Sequence, residues 1–223
     1  MTDPAPTVLH LIPSLHLGGA EKTLVELLSD KEARRGACVV VLFGGGLFES
    51  RLAELGVPLI DLKASGLFSI FGAVFRLIRL LRRRRPQIVQ TWLYYADFLG
   101  LIALLLSGRR RKTILSWGVR CSDHRLREYH FRLRAVIRAC AVLSRRPDVV
   151  IYNSHAGRVT HRNRGYRPRH EVVIENGIDS DRFGLGDETR KRVRAAFGWE
   201  PDVVVVVMIG RNDPQKGYQF FLN

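Results

Sequence analysis

The chain has 223 residues, enough for one large domain or for one domain and part of a second. Its 46% hydrophobic content is too high for a disordered chain, and 36 Lys+Arg against 21 Asp+Glu, a net charge of +15, favours anionic partners. Nucleic acid, anionic lipid and phosphorylated small molecules all fit that charge, and a GC-rich genome gives the same arginine excess.

Three cysteines, Cys38, Cys121 and Cys140, show no C-x-x-C spacing. They argue against a disulfide or zinc framework and fit a reducing cytoplasm. Met1 to Thr7 carries Asp3 and two prolines without a basic start, which is not how a signal peptide reads. No uninterrupted apolar stretch reaches the roughly 18–20 residues of a spanning helix.

In chain order, strands are predicted over 7–12, 37–43, 58–62, 87–92, 113–117 and 148–153. Helical periodicity lies between them. Ala20, Leu24, Leu27 and Leu28 share one helical face, and further helices are predicted over 48–55, 70–82, 95–106, 125–143 and 154–162. Strands alternating with helices imply an α/β fold, a doubly wound parallel sheet covered on both faces. The nearly all-apolar first strand fits its centre.

From 166 the composition turns polar, and a short run, 171–174, leads into the turn-forming Asn176-Gly177-Ile178-Asp179. A charged helix over 188–197 ends at Gly198, placed as a C-cap. The run DVVVVVMI, 202–209, is predicted as the most emphatic strand, buried on both faces. The residues after it are too few to cover it, so the expectation is a second domain that stops soon after it starts. The organisation read here is an N-terminal domain over 1–164, a crossover over 165–198 and the start of a C-terminal domain over 199–223.

Two turns carry candidate chemistry. After the first strand, Leu17-Gly18-Gly19-Ala20-Glu21 opens a helix. Paired glycines let a backbone approach a ligand, and the helix N-terminus offers free N–H groups. Such a loop lies where open α/β sheets bind ligands, although it lacks the G-x-G-x-x-G dinucleotide pattern, and a purely structural tight turn explains it as well. After the valine run, Gly210-Arg211-Asn212-Asp213-Pro214-Gln215-Lys216-Gly217 sets two cations five residues apart. Arg211 can fork two oxygens and Lys216 can act as a point charge, which suits a diphosphate; a solvated basic turn is the plainer reading.

The segment 67–85, LFSIFGAVFRLIRLLRRRR, sets Phe71, Val74, Phe75, Ile78 and Leu81 at helical spacing beside Arg76, Arg79 and four consecutive arginines at 82–85. It reads equally as an interfacial membrane helix and as a sheet-packing helix with a solvated end.

Taken together, HLIPSLHLGGAEK at 10–22, GGGLFESRLAELGVPL at 44–59, RPQIVQTWLYYAD at 85–97, IYNSHAG at 151–157, VIENGIDSDRF at 173–183 and IGRNDPQKGYQFFL at 209–222 resemble glycosyltransferase family 4, the retaining GT-B sugar transferases. The resemblance implies two Rossmann-like domains, acceptor on the first and nucleotide-diphosphate sugar on the second. It implies that Gly18 and Gly19 face the donor, and that Arg211 and Lys216 grip its diphosphate as donor-binding residues. No metal or other cofactor is expected, the cations taking that role. Many members carry a histidine shortly after the strand at 113–117. Here the segment reads Ser116-Trp117-Gly118-Val119-Arg120-Cys121-Ser122-Asp123-His124, leaving Arg120 as the catalytic-site candidate, with Asp123 and His124 outside candidates. The family's paired glutamates, seven residues apart, fall beyond Asn223, so this chain by itself is expected to be inactive.

The expected partners are a nucleotide-diphosphate sugar, a sugar or lipid-linked saccharide acceptor from polysaccharide or envelope synthesis, and an anionic membrane surface. The expected location is the cytoplasm or the inner face of the cell membrane. Specific nucleic-acid binding is not expected, since no helix-turn-helix, zinc or RNP pattern occurs and the arginines do not interleave with aromatics. The alternative is a non-catalytic fragment that binds a membrane or nucleic acid through its basic surface. A nucleotide-sugar epimerase is the other enzyme reading; the GGAE loop and the order of NGID before GR-x4-K favour a transferase.

Overall fold

The computed structural model describes residues 6–64, 66–121, 129–178, 180–183, 186–210 and 217–222. The chain divides into two compact units, residues 1–176 and 177–223.

The first unit begins with β1 (Val8–Ile12), α1 (Gly19–Ser29), α2 (Lys31–Arg34), β2 (Ala37–Val41), α3 (Glu49–Glu54) and β3 (Leu59–Asp61). It continues with α4 (Leu67–Arg84), β4 (Ile88–Trp92), α5 (Leu93–Leu106), β5 (Ile114–Val119), α6 (Phe131–Leu143), β6 (Val149–Tyr152), α7 (His155–Asn163) and β7 (Glu171–Val173). The seven strands form one sheet in the order β3-β2-β1-β4-β5-β6-β7, every neighbouring pair parallel. The chain winds outward from β1 to β3, then returns to lay β4 on the other side of β1. This doubly wound order places a topological switch point between β1 and β4, and open sheets of this kind bind ligands in the crevice at the strand C-termini there.

Period-2 alternation sorts the strand side chains onto two faces. Val39 and Val41 of β2 meet Leu24, Val25 and Leu28 of α1 and Leu52 of α3. Cys38 and Val40 point the other way, into a core shared with Ala73, Leu77 and Leu81 of α4 and with the almost wholly apolar α5. Leu9, Leu11 and Ile12 of β1 are each at most 1% exposed, as a central strand buried on both faces requires.

Caps fix the helix ends. Asp30 Oδ1 accepts from the amides of Glu32 and Ala33 at 3.0 Å each, starting α2, a helix that the apolar periodicity does not announce. The Ser154 hydroxyl accepts from the Gly157 amide and starts α7. Arg82 donates to the carbonyls of Leu106 and Ser107, so a cation of α4 closes the C-terminus of α5.

The segment 171–174, read from sequence only as part of a crossover, supplies the edge strand β7, paired with β6. In the second unit the helices are α8 (Ser180–Phe183), α9 (Asp187–Ala196) and α10 (Tyr218–Leu222). Gly198 follows α9 with φ +66°, the left-handed geometry expected of its C-cap. The strand predicted over 202–209 is not formed among the described residues. Val204, Val206 and Ile209 are 86%, 72% and 93% exposed, and no neighbouring strand pairs with the run. Valines favour extended backbone, but a strand exists only where another backbone completes its hydrogen bonds.

Candidate functional site

The strand C-termini of the first unit bring together loops from four adjacent strands. After β1, residues 13–18 lead into α1. Gly18, the residue before the helix, is extended, with φ −156°. A Cβ built there would lie 2.3 Å from Glu21 Oε2, because the Glu21 side chain folds back over it. At Gly19 a Cβ would meet nothing within 4 Å. The two glycines are therefore not equivalent. Gly18 makes room for a carboxylate of the chain itself, held at the helix end where a negative charge is favoured. Gly19 presents open backbone.

After β2, Gly46 packs against the β1 loop so closely that a Cβ would lie 2.4 Å from the Leu15 carbonyl oxygen. Its amide donates to Glu49 Oε1 at 3.0 Å, and the Phe48 amide donates to Leu15 O at 3.3 Å. The glycine-rich stretch at 44–46 thus buttresses the first loop.

β4 passes into α5 with no intervening residue. Leu93 takes φ +69° to make the turn, a left-handed conformation that costs a leucine and marks strain at the switch point. Trp92, 1% exposed, ends β4, and its indole N–H donates to His10 Nδ1 at 3.3 Å. Burial lowers the His10 pKa to about 4, so the ring is neutral and can accept.

Arg120 follows β5. Its guanidinium carbon lies 4.5 Å from the centre of the Trp92 ring, and Nη1 donates to Asn176 Oδ1 at 2.9 Å. Burial lowers its pKa, its Nε has no hydrogen-bond partner, and among the described residues no carboxylate pairs with it. A half-buried cation held by an indole and a neutral amide keeps its charge for an incoming anion. The structure places Gly18, Gly19 and Arg120 on one edge of the sheet, at the ends of β1 and β5 with β4 between them. Arg211 and Lys216, with Asp123 and His124, lie outside the described residues. Sequence reasoning missed Trp92, Asn176 and the folded-back Glu21. The only signal for the first was a tryptophan at the end of a predicted strand.

Beneath this edge lies a buried polar layer. Thr91 has one hydroxyl hydrogen and two acceptors, Asp97 Oδ1 at 2.5 Å and Ser116 O at 3.1 Å. Burial pushes the Asp97 pKa well above the usual carboxylate range. The Thr91 hydroxyl donates to Asp97 with Ser116 O also in reach, and this bond and that from the Gly118 backbone favour the charged carboxylate against the stronger effect of burial. His161 is fully buried, and its pKa is lowered to about 4, mainly by burial. With Nδ1 2.7 Å from the Gly157 carbonyl, that nitrogen must donate, so Nε2 accepts from the Tyr94 hydroxyl, also at 2.7 Å. This bond ties α7 to the first turn of α5. Among the described residues no group of three or more potential metal ligands occurs.

An open parallel α/β sheet with its loops gathered over the switch point defines a Rossmann-like domain whose ligand crevice faces the strand C-termini. Residues 17–182 match Glycosyltransferase Family 4, and the chain belongs to that family. The fold is of the GT-B type. Anabaena Alr3699/HepE, crystallised with UDP, superposes with a TM-score of 0.70 at 21% identity, covering 86% of this chain and 50% of that one. A glycosyltransferase from Rickettsia africae ESF-5 superposes at 0.64 with 13% identity, covering 96% and 55%. Acinetobacter baumannii MurG superposes at 0.51 with 16% identity, covering 82% and 50%. At these identities the likeness shows the fold alone, and the chain spans about half the length of these solved structures. No curated protein matches the chain.

Proposed function

We propose that the protein carrying this chain is a retaining glycosyltransferase that moves a sugar from a nucleotide-diphosphate sugar to an acceptor held by the first unit. The observation that carries the reading is the open Gly19 backbone on the same sheet edge as Arg120, a cation with no carboxylate partner among the described residues, at the switch point of a family 4 chain. Alr3699/HepE has also been crystallised with UDP-glucose, which supports a nucleotide sugar as donor.

In this reading Arg211 and Lys216 grip the diphosphate. Negative charge grows on the departing nucleotide as the glycosidic bond breaks, and two fixed cations stabilise that charge without a metal. Gly19 lets the donor approach the start of α1, and Arg120 binds an anionic or hydroxyl-rich part of donor or acceptor. The acceptor is a lipid-linked saccharide, consistent with an apolar groove on the first unit lined by Phe43, Tyr95, Phe98 and Leu99. The protein works at the inner face of the cell membrane.

The test uses the product of the complete reading frame, incubated with a panel of nucleotide-diphosphate sugars and lipid-linked saccharides, with the product's anomeric configuration read by NMR. Transfer with retained configuration is expected, and inversion overturns the mechanism. Arg211→Ala and Lys216→Ala are each expected to lower kcat/KM about 10- to 150-fold, the equivalent of one charge-assisted hydrogen bond. Wild-type kinetics in both variants would remove the diphosphate role.

A further inference from the structure

The connections that feed β5, β6 and β7 gather cations at the N-terminal edge of the sheet, the edge away from the sugar-transfer loops. A cavity of about 770 Å³ opens there. Arg111 and Lys112 line it from the turn before β5, Arg145 and Arg146 from the turn before β6, and Arg169 from the turn before β7. Ile114, at the start of β5, is part of its wall, whereas Arg120 follows the other end of that strand. At about 3.3 Å per residue the two places are roughly 20 Å apart.

One further cation and one carboxylate build the wall. Arg110 Nη1 and Nη2 fork the two oxygens of Asp148 at 3.0 and 3.1 Å, and Nη2 also donates to the Arg146 carbonyl. Asp148 Oδ2 accepts in addition from the Leu115 amide at 2.7 Å, which ties the pair to β5. Among the described residues Asp148 is the only acid in the lining, and Arg110 already holds it. Among those same residues, the side chains of Arg111, Lys112, Arg145, Arg146 and Arg169 find no carboxylate and no hydrogen-bond acceptor.

Helix C-termini attract cations, and α5 and α6 end at this edge. That does not account for these five. Arg82 already closes α5, and at the end of α6 the Ser144 hydroxyl donates to the Ala141 carbonyl at 2.7 Å. In the neighbouring hollow the cations are committed within the chain, Arg162 to Glu171 and Arg167 to the carbonyls of Arg162 and Tyr166. Like charges gathered in a concave site repel one another and focus a positive field, which a bound anion relieves.

The volume is within the roughly 300–1,000 Å³ of small-ligand sites. Five cations balance about three phosphate groups, at roughly 1.5 negative charges each near neutral pH. Leu105 and Ile114, 43% and 53% exposed, add an apolar patch to the same wall. Among the described residues no aromatic ring lines the cavity, so it lacks the stacking platform of a single-stranded nucleic-acid site.

We propose that this cavity binds a small molecule carrying a chain of about three phosphate groups, its arginines forking phosphate oxygens and Lys112 acting as a point charge. The patch of Leu105 and Ile114 favours a nucleoside triphosphate over inorganic triphosphate, the other source of the same chemistry. The site stands apart from the edge of Gly19 and Arg120, and its binding needs neither donor sugar nor acceptor.

The experiment is isothermal titration calorimetry of the full chain with ATP, inorganic tripolyphosphate and orthophosphate, at physiological salt and without divalent metal. ATP and tripolyphosphate are expected to bind, and orthophosphate about 10-fold more weakly or worse, since it reaches fewer cations. Arg111→Gln/Arg145→Gln and, separately, Arg146→Gln/Arg169→Gln are each expected to weaken ATP binding about 10-fold with circular dichroism unchanged, an exposed ion pair being worth up to about fivefold. Arg190→Gln/Arg192→Gln on α9 removes as much charge elsewhere and should leave most of the binding. It should also persist in Arg211→Ala/Lys216→Ala, which removes the cations proposed for the donor diphosphate. ATP is expected to bind a few-fold more tightly than tripolyphosphate and to lose that margin in Ile114→Thr, whereas equal affinities would assign the site to inorganic polyphosphate. Equal losses in the cavity and α9 variants would mean diffuse attraction by net charge and overturn the proposal. So would loss of binding in Arg211→Ala/Lys216→Ala, no binding of either triphosphate, orthophosphate binding as tightly as ATP, or tighter binding to single-stranded RNA.

Discussion

The guanidinium of Arg120 rests 4.5 Å from the centre of the Trp92 ring, and the Trp92 indole N–H reaches His10 on the far side. Side chains from β1, from β4 and from the residue that follows β5 thus form a continuous chain across the switch point. Among the described residues Arg120 is held by an indole and a neutral amide and by no carboxylate, which suits an anion-binding residue in a partly desolvated site.

Replacing Arg120 with lysine keeps the charge but loses the planar stack and the fork. Arg120→Lys is expected to lower kcat/KM for sugar transfer about 10- to 100-fold, in the range of a charge-assisted hydrogen bond, with little change in Tm. Unchanged kinetics would remove Arg120 from the site.

The paired glycines separate structural need from ligand need. Gly18→Ala forces the Glu21 carboxylate out of its present place and is expected to cost about 1 kcal/mol by denaturant titration, much of it relieved in a Gly18→Ala/Glu21→Ala double variant. Gly19→Ala meets nothing in the protein, so stability should hold or rise slightly while donor KM rises. If Gly19→Ala leaves donor kinetics unchanged, the loop is only a turn.

Stability should rise with pH between about 4 and 6.5. His10 and His161 are neutral in the fold, with pKa values lowered to about 4, so the unfolded chain takes up two protons that the native state refuses. Their contribution is complete above pH 6.5 and is lost as pH falls toward 4. Asp97, whose pKa is raised by burial, acts in the opposite sense: its proton stays on in the native state and leaves the unfolded chain from about pH 4 upward. Asp97 therefore offsets part of the rise in stability that the two histidines give between about pH 4 and 6.5. Urea titrations from pH 4.5 to 8 measure the curve. Asp97→Asn should steepen the rise, and an unchanged slope would show that Asp97 is ionised in the fold.

The six strands predicted in the first domain all form, each within about two residues of its expected ends. Strong apolar periodicity is a local signal, and β1 could not read as it does without burial on both faces. α2 was not legible because it is four residues long and rests on the Asp30 cap alone. The run at 67–85 gave two readings, and the fold keeps part of each. Leu77 and Leu81 face the sheet, while Phe71 and Phe75 face outward. Helical spacing groups residues that share a side but cannot say which side the sheet takes.

The sequence by itself determined the alternation of strands and helices, the glycine turn before α1, and the order of motifs that marks family 4. Each is a property of neighbours along the chain, written in spacing and residue type. Only the tertiary structure decided that Trp92 and Arg120, 28 positions apart, would stack, that Glu21 would fold over Gly18, and that the valines at 203–207 would remain unpaired. Stacking requires two strands brought into register by the sheet, and a strand requires a second backbone to accept its hydrogen bonds. Neither condition belongs to any single stretch of sequence.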